Sequence, residues 1–147
     1  MPLVDKNKKR RGFTLIELLV VLAILGLLAA FAVPRVLKYL SHAKTEAAEI
    51  QISNLSAALD LYRLEVGRYP TTEEGLIALY EPPPGIHGWN GPYLDKRDGL
   101  LDPWGRPYQY RYPPEHATEF DLYTLGADDA PGGEGENQDV TNWSDPG

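Results

Sequence analysis

From Phe13 to Val33 the chain runs 21 residues with one ionisable side chain, Glu17. At about 1.5 Å of rise per residue, a helix of that length covers roughly 31 Å, close to the thickness of a hydrocarbon core. After Pro34 the pattern turns amphipathic. Leu55, Leu59, Tyr62 and Val66 fall at i, i+4, i+7 and i+11, one stripe of a helix, while Glu49, Ser53, Ser56, Asp60 and Arg63 lie largely off it. Gly67, with Pro70 soon after, reads as the stop. The pattern therefore predicts one helix from about Phe13 to Val66, roughly 80 Å long. Pro34 removes a backbone donor near its middle and is expected to kink or locally melt it, and Gly26 is a second weak point.

Beyond Gly67 the signals are short. Thr71-x-x-Glu74 is a capping-box pattern and predicts a helix through Tyr80, which Glu81-Pro82-Pro83-Pro84-Gly85 must end as an exposed, extended loop. Gly88 to Tyr93 and Asp102 to Pro107 read as turns with aromatic anchors. Tyr108-Gln109-Tyr110-Arg111-Tyr112 alternates strictly, placing three tyrosines on one face of a strand, and Phe120 to Thr124 alternates as its partner. The expected fold class is α+β, a long N-terminal helix packed against a small antiparallel sheet. Core packing is the favoured use of the aromatics over a sugar-binding platform.

Charge adds an orientation. Residues 1–12 carry five Lys/Arg and one Asp, a net +4, which leaves −11 for residues 13–147 out of the chain total of −7. Positive charge ahead of an apolar span keeps that end cytoplasmic and sends the acidic remainder across. An acidic exterior also argues against nucleic acid as a partner. The expected division is a leader at 1–12, a membrane-spanning segment at 13–34, the amphipathic half-helix at 35–66 and a head at 67–147. With no cysteine, this head has no disulfide to stabilise it, so help is expected from a docked helix, a metal and oligomerisation together. There is no nucleophile–base set, no histidine ligand cluster and no phosphate loop, so the chain does not read as an enzyme. Asp128 and Asp129 are adjacent on a Gly-rich loop, which gives glycoside chemistry no fixed carboxylate separation.

Glu17 is the costly residue. A charge inside a membrane helix costs roughly 2.5–3.5 kcal/mol on insertion scales and is by default a functional group seeking a partner. Cutting the chain between Gly12 and Phe13 creates one, an α-amine one helical turn from Glu17. The run Lys8-Lys9-Arg10-Arg11-Gly12-Phe13-Thr14-Leu15-Ile16-Glu17 resembles the class III signal of type IV pilin-like proteins: a basic leader, Gly before the cut, Phe after it, and Glu at the fifth mature position. Two other readings are a plain membrane anchor and an ordinary export signal cut after Ala30-Phe31-Ala32. The apolar run is too long for the latter, contains Glu17, and continues as helix past the cut. An all-round apolar stem is satisfied by lipid or by copies of itself, and Glu17 can then pair with the Phe13 amine of its own chain or of a neighbour.

The stretch Leu125 to Asp139 holds five acids among glycines. Tight backbone turns expose carbonyls, and a hard cation takes carboxylate and carbonyl oxygens together, so the composition suits calcium. A solvated acidic tail is the plainer alternative. The EF-hand pattern is absent, and with His42, His87 and His116 scattered there is no zinc set.

Taken whole, the chain resembles the major pseudopilins of type II secretion, the G-type general secretion pathway proteins. The resemblance rests on Gly67-Arg68-Tyr69-Pro70-Thr71, Gly91-Pro92-Tyr93-Leu94, Asp102-Pro103-Trp104-Gly105, Leu125-Gly126-Ala127-Asp128, Gly132-Gly133-Glu134-Gly135 and Trp143. It implies cleavage and N-methylation at Phe13 by a prepilin peptidase, with Glu17 and Pro34 serving assembly. It implies a bacterial inner-membrane protein with its head in the periplasm, assembling there with copies of itself, with minor pseudopilins and with an inner-membrane platform to export folded proteins. It also implies calcium in the C-terminal loop. Asp128 is the matching side-chain ligand, Leu125 and Ala130 offer backbone oxygens, and Glu136 or Asp139 supplies the second carboxylate. The related alternative is a type IV pilus subunit for adhesion, motility or DNA uptake.

Overall fold

The computed structural model describes residues 11–144, so the leader through Arg10 lies outside the described residues. In chain order the elements are α1 (Leu15–Val66), a 3-10 turn (Leu76–Leu79), a second (Arg97–Leu100), β1 (Gln109–Arg111), β2 (Asp121–Thr124), a third 3-10 turn (Gly135–Asn137) and β3 (Val140–Thr141). The chain divides into two compact units, Met1–Lys38 and Tyr39–Gly147.

The first unit holds the apolar start of α1. Its described side chains are exposed throughout, including Phe13, Leu19, Leu25 and Phe31. Water would oppose such a surface, because each large apolar side chain left uncovered forgoes about 1.5–3 kcal/mol. Pro34 lies inside α1, which remains helical on both sides of it, so the expected local melting is not observed. Gly26 likewise leaves the helix intact, and a Cβ there would touch nothing within 4 Å.

The second unit has a true core. Ala48, Ile52, Leu55, Ala58, Leu59 and Tyr62 of α1 pack with Tyr69, Leu76, Leu79, Tyr108, Phe120, Leu122 and Val140. Leu55, Leu59 and Tyr62 of the predicted stripe are fully buried and Val66 is half-buried against the same cluster. Gly67 ends the helix at φ +91°, with its amide bonded to the Arg63 carbonyl at 2.8 Å.

The sheet is antiparallel in the order β1-β2-β3, with Tyr110 opposite Leu122 and Tyr123 opposite Thr141. As the alternation required, Tyr108, Tyr110 and Tyr112 turn to the core while Gln109 and Arg111 face water. Here the aromatics are packing residues. Tyr69 meets Phe120 edge-on at 5.0 Å, and the Tyr110 hydroxyl donates to the Pro70 carbonyl at 2.7 Å.

The capping box at Thr71 forms in full. The Thr71 amide donates to Glu74 Oε2 at 2.9 Å, and the Glu74 amide donates to Thr71 Oγ1 at 3.2 Å. The expected helix through Tyr80 is shorter and tighter, a single 3-10 turn, because Gly75 sits at φ +64° directly before it and the prolines follow.

Candidate functional site

At the N-terminal end of α1 the sequence again gives Thr-x-x-Glu, and again the box closes. The Thr14 amide donates to Glu17 Oε2 at 3.2 Å, and the Glu17 amide donates to Thr14 Oγ1 at 3.3 Å. The carboxylate expected to seek an amine thus has a partner in its own first turn before any cut. Sequence reasoning applied this pattern at Thr71 and overlooked it at Thr14. Gly12 and Phe13 precede the box, both exposed. Among the described residues a Cβ on Gly12 would meet nothing within 4 Å, so their packing does not demand glycine there.

The acidic loop is built by contact between its two arms. The Ala127 amide donates to the Glu136 carbonyl at 2.9 Å, and a Cβ on Gly126 would come within 2.8 Å of the Glu136 and Gln138 carbonyl oxygens. Gly126 is therefore required by close approach as well as by its φ of +75°. The Asp102–Pro107 turn braces one arm. Asp102 is buried; its Oδ1 accepts the Trp104 and Arg106 amides at 3.0 and 2.9 Å, and its Oδ2 accepts the Thr124 hydroxyl at 2.6 Å. Arg106 reaches over to donate to the Gly126 carbonyl, and its Nε lies 3.5 Å from Asp129 Oδ1.

The expected ligands separate into two groups. Asp128 is exposed, and its Oδ1 accepts the Ala130 amide at 3.2 Å in a local turn. Asp139 accepts the Gly132 amide through Oδ2 at 2.9 Å, whereas its Oδ1 is buried without a hydrogen-bond partner among the described residues. Leu125 and Asp139 line one pocket of about 630 Å³ with Pro131, Tyr123, His116 and Trp143. Glu136 points elsewhere: its Oε1 accepts the Trp104 indole N–H at 2.9 Å and lies 3.3 Å from Lys44 Nζ of α1. That hydrogen bond, then the Lys44 ammonium, holds the Glu136 carboxyl below its ordinary range. Among the described residues no three His, Cys, Asp or Glu side chains converge as a metal-holding group, so any cation here depends on backbone carbonyls as well.

Asp121 of β2 is a further carboxylate that sequence reasoning did not single out. It is almost fully buried and accepts the amides of Glu115, His116 and Ala117 together with His116 Nδ1. Burial would raise its pKa, but those donors outweigh it and hold the group below its usual value. The side chain pins the 115–117 loop to the sheet.

Comparison with known proteins places this architecture. The family model for type II secretion system protein G matches residues 35–143, and that for the prokaryotic N-terminal methylation motif matches residues 7–33. The chain belongs to the type II secretion system protein G family. It is 44% identical over 146 residues to the type II secretion system core protein G of Pseudomonas aeruginosa, covering 94% of this chain and 98% of that one. The corresponding Vibrio cholerae protein is 43% identical, with 96% and 97% covered. The crystal structure of the major pseudopilin from the type 2 secretion system of enterohaemorrhagic Escherichia coli matches with a TM-score of 0.58 at 33% identity, covering 69% of this chain and 88% of that one. The chain is accordingly a structural pseudopilin of type II secretion, and its apolar helix is exposed along the described part of the first unit. The methylation-motif match includes Gly12, Phe13 and Glu17.

Proposed function

We propose that the chain is held in the inner membrane by residues 13–34, cut after Gly12 by a prepilin peptidase, and polymerised in the periplasm into a short filament that drives folded proteins outward. The observation that carries this reading is an apolar helical stem, exposed along its described length, with a single acid one turn inside it. Lipid covers that surface in the monomer and neighbouring stems cover it in the filament. Release of the Phe13 amine gives Glu17 a cationic partner, and pairing with the amine of a neighbouring copy neutralises both charges when the stems stack in register. A glycine at position 12, which the packing of the described residues does not need, suits a peptidase that must approach the backbone closely.

Calcium in the C-terminal loop is part of the same proposal. Asp128 and Asp139 would hold it, with the Leu125 and Ala130 carbonyls, and the buried open oxygen of Asp139 is what supports the fit. Bound there, the cation would neutralise loop carboxylates and tie the two arms together.

Minor pseudopilins and an inner-membrane platform complete the proposed partners. Deletion of the gene tests the reading. Exported proteins should accumulate in the periplasm, and the mature chain should begin at Phe13. Normal export with loss of surface fibres would instead select the pilus alternative, and a mature start at Val33 would end the stem reading.

A further inference from the structure

Glu136 is a natural ligand by composition, yet its carboxylate is spent elsewhere. It lies between two donors from distant parts of the chain, the Trp104 indole in the Asp102–Pro107 turn and the Lys44 ammonium on α1. Its own backbone carbonyl accepts the Ala127 amide from the opposite arm of the loop. One residue therefore joins three segments: α1, the 102–107 turn and the 126–127 turn. A ligand would have to leave two charge-assisted contacts to reach a cation, while Asp139 Oδ1 is already buried and unpartnered among the described residues.

We propose that Glu136 is a positioning residue, a latch that fastens the C-terminal loop to α1 through Lys44 and to the 102–107 turn through Trp104. In this arrangement the order of the loop is passed directly to the helix that polymerises. Arg106, bonded to the Gly126 carbonyl and paired with Asp129, fastens the other arm to the same turn. Lys44 is thus as much part of the loop's architecture as the loop's own acids. The inference deepens the calcium reading in one arm of its test and stands apart from it in the other.

The test uses the full-length chain in detergent micelles, as parent, Lys44→Met, Lys44→Arg, Glu136→Gln and Asp139→Asn. Calcium chloride titration and limited proteolysis within residues 125–139 are both measured, the latter at one fixed calcium concentration. Glu136→Gln and Lys44→Met should keep calcium affinity within about threefold, whereas Asp139→Asn should lose at least about tenfold. The two latch variants should be cut in the loop about fivefold faster or more, as local opening becomes easier, and Lys44→Arg should stay protected. Loss of calcium by Glu136→Gln to the extent seen in Asp139→Asn would make it a ligand and overturn the proposal. Unchanged cleavage in both latch variants would overturn it too. If the parent takes up no calcium, the calcium reading fails by itself, and the cleavage rates still decide the latch.

Discussion

Glu17 accepts the Thr14 amide at 3.2 Å while Thr14 Oγ1 accepts the Glu17 amide at 3.3 Å, a reciprocal pair that closes the first turn of the stem. The pair satisfies backbone donors that no helix can satisfy internally. It also keeps the carboxylate beside the position where cleavage would create an amine. The same side chain can therefore serve the monomer as a cap and the filament as a counter-ion.

Removing the cap should loosen the first turn without disturbing the head. Thr14→Ala is expected to cost about 1 kcal/mol locally, which corresponds to roughly fivefold faster amide exchange near the N-terminus of α1. Exchange in the turns from Leu55 to Tyr62, where Leu55, Leu59 and Tyr62 are buried, should be unchanged. Hydrogen-exchange mass spectrometry in micelles checks both.

The second capping box carries a charge partner, Arg68. Arg68 holds Glu74 through two hydrogen bonds of 2.7 Å, and this pairing, with the Thr71 amide, pulls the Glu74 pKa down to about 2. A depressed carboxyl pKa adds stability that is complete above the unfolded value and fades as pH falls through the folded one. The contribution should therefore be present above about pH 4.5 and decline towards pH 2. Because Arg68 is partly exposed, about 1–2 kcal/mol is the expected size. Urea unfolding of the parent against Glu74→Gln should show a gap at pH 6 that narrows by pH 3.

Packing of α1 against the rest of the head buries Ala48, Ile52, Leu55, Ala58, Leu59 and Tyr62 in one interface. Leu59 is fully buried in that interface, so Leu59→Ala should cost about 2–5 kcal/mol, measured as a lower urea midpoint for the head. Leu64, 82% exposed on the same helix, should tolerate alanine within about 0.5 kcal/mol in the unassembled chain.

Much of this architecture was legible because it repeats with a simple period. The stripe at Leu55, Leu59 and Tyr62, the alternating tyrosines in and beside β1 and the stop at Gly67 each follow from one local rule, and each holds. The helix expected after Thr71 shrank to a 3-10 turn because Gly75 at positive φ breaks the geometry before a second turn can form. β3 has only two residues, Val140 and Thr141, too few for any period. In the loop, composition set Glu136 and Asp139 side by side as equals. What separates them is Lys44 and Trp104, distant in sequence, and only the fold brings those donors to one carboxylate and leaves the other open.

In the proposed function, an acid in the apolar stem becomes useful once proteolysis supplies an amine, so that stems leave lipid and stack on one another. The most direct measurement is the fraction of processed chain recovered in filaments for Glu17→Ala beside the parent. The variant should be cut and retained in the membrane but fail to polymerise, with exported proteins held back. Filaments formed at the parent's yield, with normal export, would contradict it.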